Sequence, residues 1–170
     1  MHKTRRMPEI FFDCCCISNF ALSDSLFILE NLFSKSAHIT NFVSAEIMRG
    51  IQQGHGDLEK ITEALGEGWL REVVIKGKKE KSIYEALSVS LGLGEASSIA
   101  VAKVREFIFA CDDRVARREA GLLGVKLTGT IGLLKKSVTD KVVNIKEGDL
   151  ILTRMKEKGF YSSVKSLSKI

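Results

Sequence analysis

Short apolar runs alternate along the chain with segments of helical spacing. Glu9 to Ile17 (EIFFDCCCI) is apolar and aromatic and reads as a buried strand carrying one aspartate, Asp13. Ser25 to Phe33 sets Leu26, Leu29, Leu32 and Phe33 at helical spacing, and a short strand is predicted around His38 to Thr40. Ser44 and Glu46 begin a helix that ends near Gly50 to Gly54. Asp57 caps a helix through Ala64 and Leu65, which Gly66 and Gly68 break, and Leu70 to Ile75 alternates like a strand. Lys76 to Lys81 reads as a solvated turn before a helix through Tyr84 and Leu87. After Gly92–Leu93–Gly94, the run Glu95 to Val104 is a helix with a narrow apolar face of Ala96, Ile99, Ala100 and Ala102. Phe107 to Cys111 (FIFAC) is fully apolar and suits a central parallel strand. Asp112 and Asp113 end it, Arg114 to Leu123 forms the next helix, and Gly124 stops that helix. Val125 to Leu127 reads as a last strand, and Thr128–Gly129–Thr130 turns into a helix from Ile131 to about Val138. Asp149 to Lys158 is a further helix, stopped by Gly159.

Strands alternating with helices predict an α/β domain of three layers around a central, mostly parallel sheet. The expectation is one domain over residues 1–170, with a core of about 9–140 and a C-terminal helical extension of about 141–170. No apolar run approaches the roughly 20 residues that span a bilayer. A basic amino terminus (His2, Lys3, Arg5, Arg6) precedes Pro8, but Glu9 and Asp13 interrupt the apolar stretch behind it, which argues against a secretory signal. Cys14, Cys15, Cys16 and Cys111 lack zinc-type spacing and are expected to be buried, reduced thiols, which places the chain in the cytoplasm. The net charge of +5 suits a polyanionic substrate, although many basic proteins have none.

The candidate chemistry lies in acids at awkward places. Asp13 sits among strand-forming apolar neighbours, and Asp112 and Asp113 follow FIFAC directly. In open parallel sheets, ligands bind at the carboxyl ends of the strands. A carboxylate in an apolar setting is costly unless hydrogen bonds or a cation compensate it. Glu95 and Glu46 open helices. Each of these acids also has a plainer reading, as a helix cap or as an acid placed for the helix dipole. As a set at the strand ends and helix starts of one sheet, they suit Mg2+ or Mn2+, which prefer oxygen ligands. Such an ion lowers the pKa of a bound water and stabilises a leaving oxygen, so hydrolysis needs no nucleophilic side chain.

Four segments carry a resemblance: Phe12–Asp13–Cys14–Cys15, Val43 to Ile47, Gly92 to Ala96, and Asp112 to Arg117, followed by the turn Gly129 to Leu134 and the tail Arg154 to Tyr161. Their order and spacing resemble the PIN-domain family, and most closely its VapC-like branch, with LGxGEA, DDRxAR and GTxGLL segments. The resemblance runs from about Ile10 to Ser163. It implies a PIN fold and a divalent-metal-dependent endoribonuclease, often the toxin of a toxin–antitoxin pair. It also implies an RNA substrate, a small antitoxin partner and a homodimer. Carried over, the catalytic positions are Asp13, Glu46, Glu95 and Asp113. The metal ligands are Asp13, Glu95, Asp112 and Asp113, with Asp113 preferred as the fourth, and Thr130 orients a site water or carboxylate or caps a helix. Two departures stand out: thiols follow Asp13 where a Ser or Thr is common, and Glu95 stands where many relatives use Asp.

Arg114, Arg117 and Arg118 flank the acid pair and either meet the RNA backbone or form a solvated helix face that pairs with Glu119. His2, His38 and His55 have no local partners for nucleophilic catalysis. The alternative function is a PIN-like domain of weak or absent activity that grips RNA or a protein. A phosphorylation-controlled receiver domain also uses clustered acids. It needs its acid pair after the first strand, however, and here the pair comes late.

Overall fold

The computed structural model describes residues 8–170, so the basic stretch from His2 to Arg6 weighed above lies outside the described residues. Five parallel strands form one sheet in the order β3-β2-β1-β4-β5. They are β1 (Ile10–Phe12), β2 (Ala37–Thr40), β3 (Leu70–Val73), β4 (Ile108–Ala110) and β5 (Leu127–Thr128). The helices are α1 (Cys14–Leu22), α2 (Leu26–Phe33), α3 (Asn41–Gln52), α4 (Glu59–Glu67), α5 (Gly77–Leu87), α6 (Leu93–Arg105), α7 (Arg114–Leu122), α8 (Thr130–Thr139) and α9 (Ile145–Glu157).

Strand alternation assigns the two faces of the sheet. Ile10, Phe12 and Ala110 point into a core shared with Cys16, Ile17 and Phe20 of α1, Leu133 and Leu134 of α8, and Ile151 and Leu152 of α9. Phe11, Phe109 and Cys111 point the other way, onto Ala96, Ile99 and Ala102 of α6 and Ala116 and Ala120 of α7. The result is the expected three-layer α/β arrangement. Strand order runs outward through β2 and β3 on one side of β1 and through β4 and β5 on the other. The crevice between the carboxyl ends of β1 and β4 is therefore the point where the order reverses, the usual ligand position in such sheets. The Asp13 amide donates to the Ala110 carbonyl there (2.9 Å) and ties the two strand ends together.

Several expected boundaries move, each for a physical reason. The apolar run from Glu9 to Ile17 is not one strand: it breaks at Asp13 and continues as α1. Over the longer window the buried positions are Cys16, Ile17, Phe20 and Ala21, which is a helical stripe. Consecutive helical residues fan out by about 100°, so the three adjacent thiols cannot all face inward. Cys16 and Cys111 are buried, Cys14 is half-buried and Cys15 is exposed, which corrects the expectation of four buried thiols.

Glu46 does not begin its helix. The Thr40 hydroxyl caps α3 by accepting from the Val43 amide (3.3 Å), leaving Glu46 well inside it. Lys76 to Lys81 is not a turn but the start of α5, where Glu80 accepts from the Lys76 amide (2.6 Å). Asp57 lies in a 3-10 turn, Gly56–Leu58, ahead of α4 rather than capping it. α9 starts a turn earlier than expected, at a reciprocal cap in which the Asn144 side chain accepts from the Glu147 amide and the Glu147 carboxylate accepts from the Asn144 amide. Among the described residues, no helix is long and apolar enough to cross a membrane.

Candidate active site

The same alternation that divides the core also divides the acids. Asp13 follows Phe12 and turns to the α6 side, as Phe11 does. Its carboxylate lies with those of Glu95 and Glu46, whose negative charges both act on it. Asp13 is only 3% exposed. It occupies the N-cap position of α1 yet makes no side-chain cap hydrogen bond. The partner of its side chain is the Cys111 thiol, which donates to Oδ2 at 3.7 Å. Burial, then Glu95, then Glu46 raise its pKa from 3.8 to about 7, and the opposing effects of the Cys14 amide and the Cys111 thiol do not offset them.

Glu95 stands in the first turn of α6, where its Oε2 accepts from the Gly92 amide at 3.3 Å. Its pKa is also raised, by burial first and then by Asp113, with Glu46 adding to the effect against the Gly92 hydrogen bond. Glu46 reaches the site from the middle of α3 because Gly94 has no side chain: a methyl there would meet both Glu46 carboxylate oxygens at 2.8 Å.

Asp112 falls on the opposite side of the sheet, toward α1 and α8. Its Oδ1 accepts from the Thr130 amide (2.9 Å) and its Oδ2 from the Thr130 hydroxyl (2.5 Å). The Asn19 side-chain amide donates to Asp112 Oδ2 (3.4 Å) and to the Thr130 hydroxyl oxygen (3.1 Å). Thr130 thus orients a carboxylate, one of the two roles expected of it; the N-cap position of α8 belongs to Gly129. Gly129 is required for this fit, since a Cβ there would lie 2.6 Å from Asp112 Oδ1 and 3.2 Å from the Cys111 carbonyl oxygen. Asp113 is exposed and caps α7 by accepting from the Ala116 amide (2.9 Å). Its charge nonetheless acts on Glu95. The structure therefore brings Asp13, Glu46 and Glu95 together, with Asp112 at one rim and Asp113 at the other.

Two residues of this end escaped the sequence reading. Asn19 is a polar side chain in the apolar stretch of α1, six positions after Asp13, and only the fold sets it against α8. Cys111 is legible as a buried thiol but not as the neighbour of Asp13. The arginines separate by role. Arg117 turns inward, donating from one guanidinium nitrogen to the carbonyls of Cys111 (2.7 Å) and Thr128 (2.8 Å), so it is a strut between the ends of β4 and β5. Arg118 pairs with Glu119 at the surface (3.0 Å). Arg114 is exposed, with no ion pair among the described residues.

A PIN-domain family model matches residues 9–170. The chain belongs to the PIN-domain family. No curated protein and no solved structure matched it. PIN domains are generally nucleases, and the acids of this PIN domain converge at the strand-end crevice where open parallel sheets usually bind ligands. The residues fit a divalent cation. One oxygen each of Asp13 and Glu95 and the Cys111 sulfur lie within 4.8 Å of one another. The buried Asp13 carboxylate has no Lys, Arg or His partner among the described residues to neutralise it. A divalent cation would supply that missing charge.

Proposed function

We propose that this PIN domain is a metal-dependent endoribonuclease that hydrolyses RNA phosphodiester bonds, with Mg2+ or Mn2+ at the acid cluster, and that it serves as the toxin of a toxin–antitoxin pair. The observation that carries the nuclease reading is Asp13: a buried carboxylate, crowded by Glu95 and Glu46, without a cationic side chain beside it. A divalent ion there would lower the pKa of a bound water and stabilise charge on the leaving oxygen.

Each residue of the chain has its part. Asp13, just past β1, and Glu95, on α6, would hold the ion, and Asp112 or Asp113, just past β4, would complete the set. Glu46 lies beside Asp13 and orients the attacking water through a hydrogen bond. Thr130 and Asn19 fix Asp112 so that its carboxylate does not swing between rotamers, which is the usual work of groups behind a ligand shell. Arg117 keeps the β4 and β5 ends at a fixed separation. Arg114, exposed next to the acid pair, would meet a phosphate of the RNA backbone. The toxin role, a small antitoxin and a homodimer rest on the likeness of the Gly92 to Ala96, Asp112 to Arg117 and Gly129 to Leu134 segments to the VapC-like branch.

The test is cleavage of structured RNAs by the purified chain. Cutting is expected with Mg2+ or Mn2+, is abolished by EDTA, and returns when the ion is added back. Cleavage that persists in EDTA would refute the metal-dependent reading.

A further inference from the structure

A centre built only of oxygen ligands has no use for a thiol. Cys111 nevertheless follows β4 directly with its side chain on the Asp13 side of the sheet, fully buried, and its sulfur belongs to the 4.8 Å group with Asp13 and Glu95. Metal bonds of roughly 2.0 Å to carboxylate oxygen and 2.3 Å to sulfur place such donors within about 4.5 Å of each other, which small side-chain rotations supply. The other thiols are engaged elsewhere or point away. Cys14 contacts the Ser18 hydroxyl, Cys16 contacts the Thr130 hydroxyl, and Cys15 is exposed. Asp13 is a separate sign of a cation, since its carboxylate is buried against Glu95 and Glu46 with no cationic side chain beside it among the described residues.

We propose that Cys111 is a ligand of the same centre, making it a mixed oxygen–sulfur site that takes Zn2+, Co2+ or Cd2+ in preference to Mg2+. The proposal rests on the acid cluster holding a divalent ion, and it names a further ligand and the class of metal. Thiolate is a soft donor and selects borderline and soft ions, whereas Mg2+ prefers oxygen. The step balances without redox chemistry. On metal binding the S–H bond would break, its proton would be released to solvent, and the sulfur electron pair would form the bond to the metal.

The full chain, stripped of metal, is titrated with Co2+ and followed by absorbance. A sulfur-to-cobalt charge-transfer band is expected, and it disappears in Cys111→Ser. By calorimetry that variant loses at least about tenfold in Zn2+ affinity, a larger loss than it shows for Mn2+. A second protein, carrying Cys14→Ser, Cys15→Ser and Cys16→Ala, retains Cys111 alone among the four cysteines and keeps the band, so the result does not depend on Cys111→Ser folding. A band that survives Cys111→Ser, or no band in a wild-type chain that still binds Mn2+, overturns the thiolate ligand and leaves the acid centre standing. Binding of neither Co2+ nor Mn2+ overturns both this proposal and the metal-dependent function beneath it.

Discussion

Asp13 and Glu80 are both 3% exposed, and the fold treats them in opposite ways. Glu80, on α5, accepts from Arg105 Nε (2.7 Å) and Nη2 (3.2 Å) and from the Lys76 amide (2.6 Å). Burial pushes its pKa up, but the Arg105 hydrogen bonds, the Lys76 amide and the nearby positive charges outweigh that and hold it below the ordinary value. Asp13 has no such company, and two further carboxylates face it, so its pKa rises to about 7. A buried acid that locks α5 to α6 is fully compensated by the chain itself. A buried acid at the strand-end crevice has no such compensation from the chain, and that physical difference is the reason for proposing a functional role for Asp13.

The sharpest way to break the contrast is Asp13→Asn. RNA cleavage is expected to fall by at least about a thousandfold, while the metal-free protein melts no lower than wild type at pH 8. Cleavage at the wild-type rate would remove Asp13 from the site. A second measurement follows stability against pH in EDTA. The folded pKa of Asp13 lies above its unfolded value, so between about pH 4 and 7 the native state holds more protons. Its contribution therefore weakens as pH rises through that window, by up to roughly 4 kcal/mol. Chemical denaturation from pH 5 to 8 should show the decline, saturating Mn2+ should suppress it, and Asp13→Asn should lack it.

Glu80 has the opposite sign, because its pKa is depressed. Its contribution is present at neutral pH and is lost as pH falls through the folded value. Arg105→Met strands this buried carboxylate and should cost about 3 kcal/mol in a denaturant titration. Adding Glu80→Gln should return part of that loss. The smallest effect is expected for Gly94→Ala. The new methyl displaces the Glu46 carboxylate without striking backbone, so cleavage should drop about tenfold while stability changes by less than about 1 kcal/mol. A large loss of stability instead would make Gly94 a packing position rather than a cradle for Glu46.

Strand and helix alternation was readable in the order of apolar runs, because burial on both sheet faces makes short apolar strands and packing against a sheet makes helical stripes. What misled was window length. Nine residues from Glu9 to Ile17 look like one strand, and only the continuation through Phe20 and Ala21 reveals the helical stripe. The lysines from Lys76 to Lys81 look like a loop because the residue that organises them, Glu80, finds its partner Arg105 on another helix. Asp13 and the acid pair could be singled out from sequence because a carboxylate at the edge of an apolar run conflicts with its neighbours, whereas Glu95 stood out only as an acid opening a helix. Glu46 was singled out for the wrong local reason, as a helix start, since the Thr40 cap moves that start upstream.

The sequence by itself determined the layered α/β plan and marked the acids as misfits in their surroundings, because both follow from the period and polarity of neighbouring residues. Only the tertiary structure decided which acids meet. It sent Asp13 and Asp112 to opposite sides of the sheet, seated Glu46 against Gly94, gave Asp112 its Thr130 and Asn19 donors, and set a thiol beside Asp13. Those contacts join residues as many as 98 positions apart, and nothing in a local pattern encodes the register of parallel strands that brings them together.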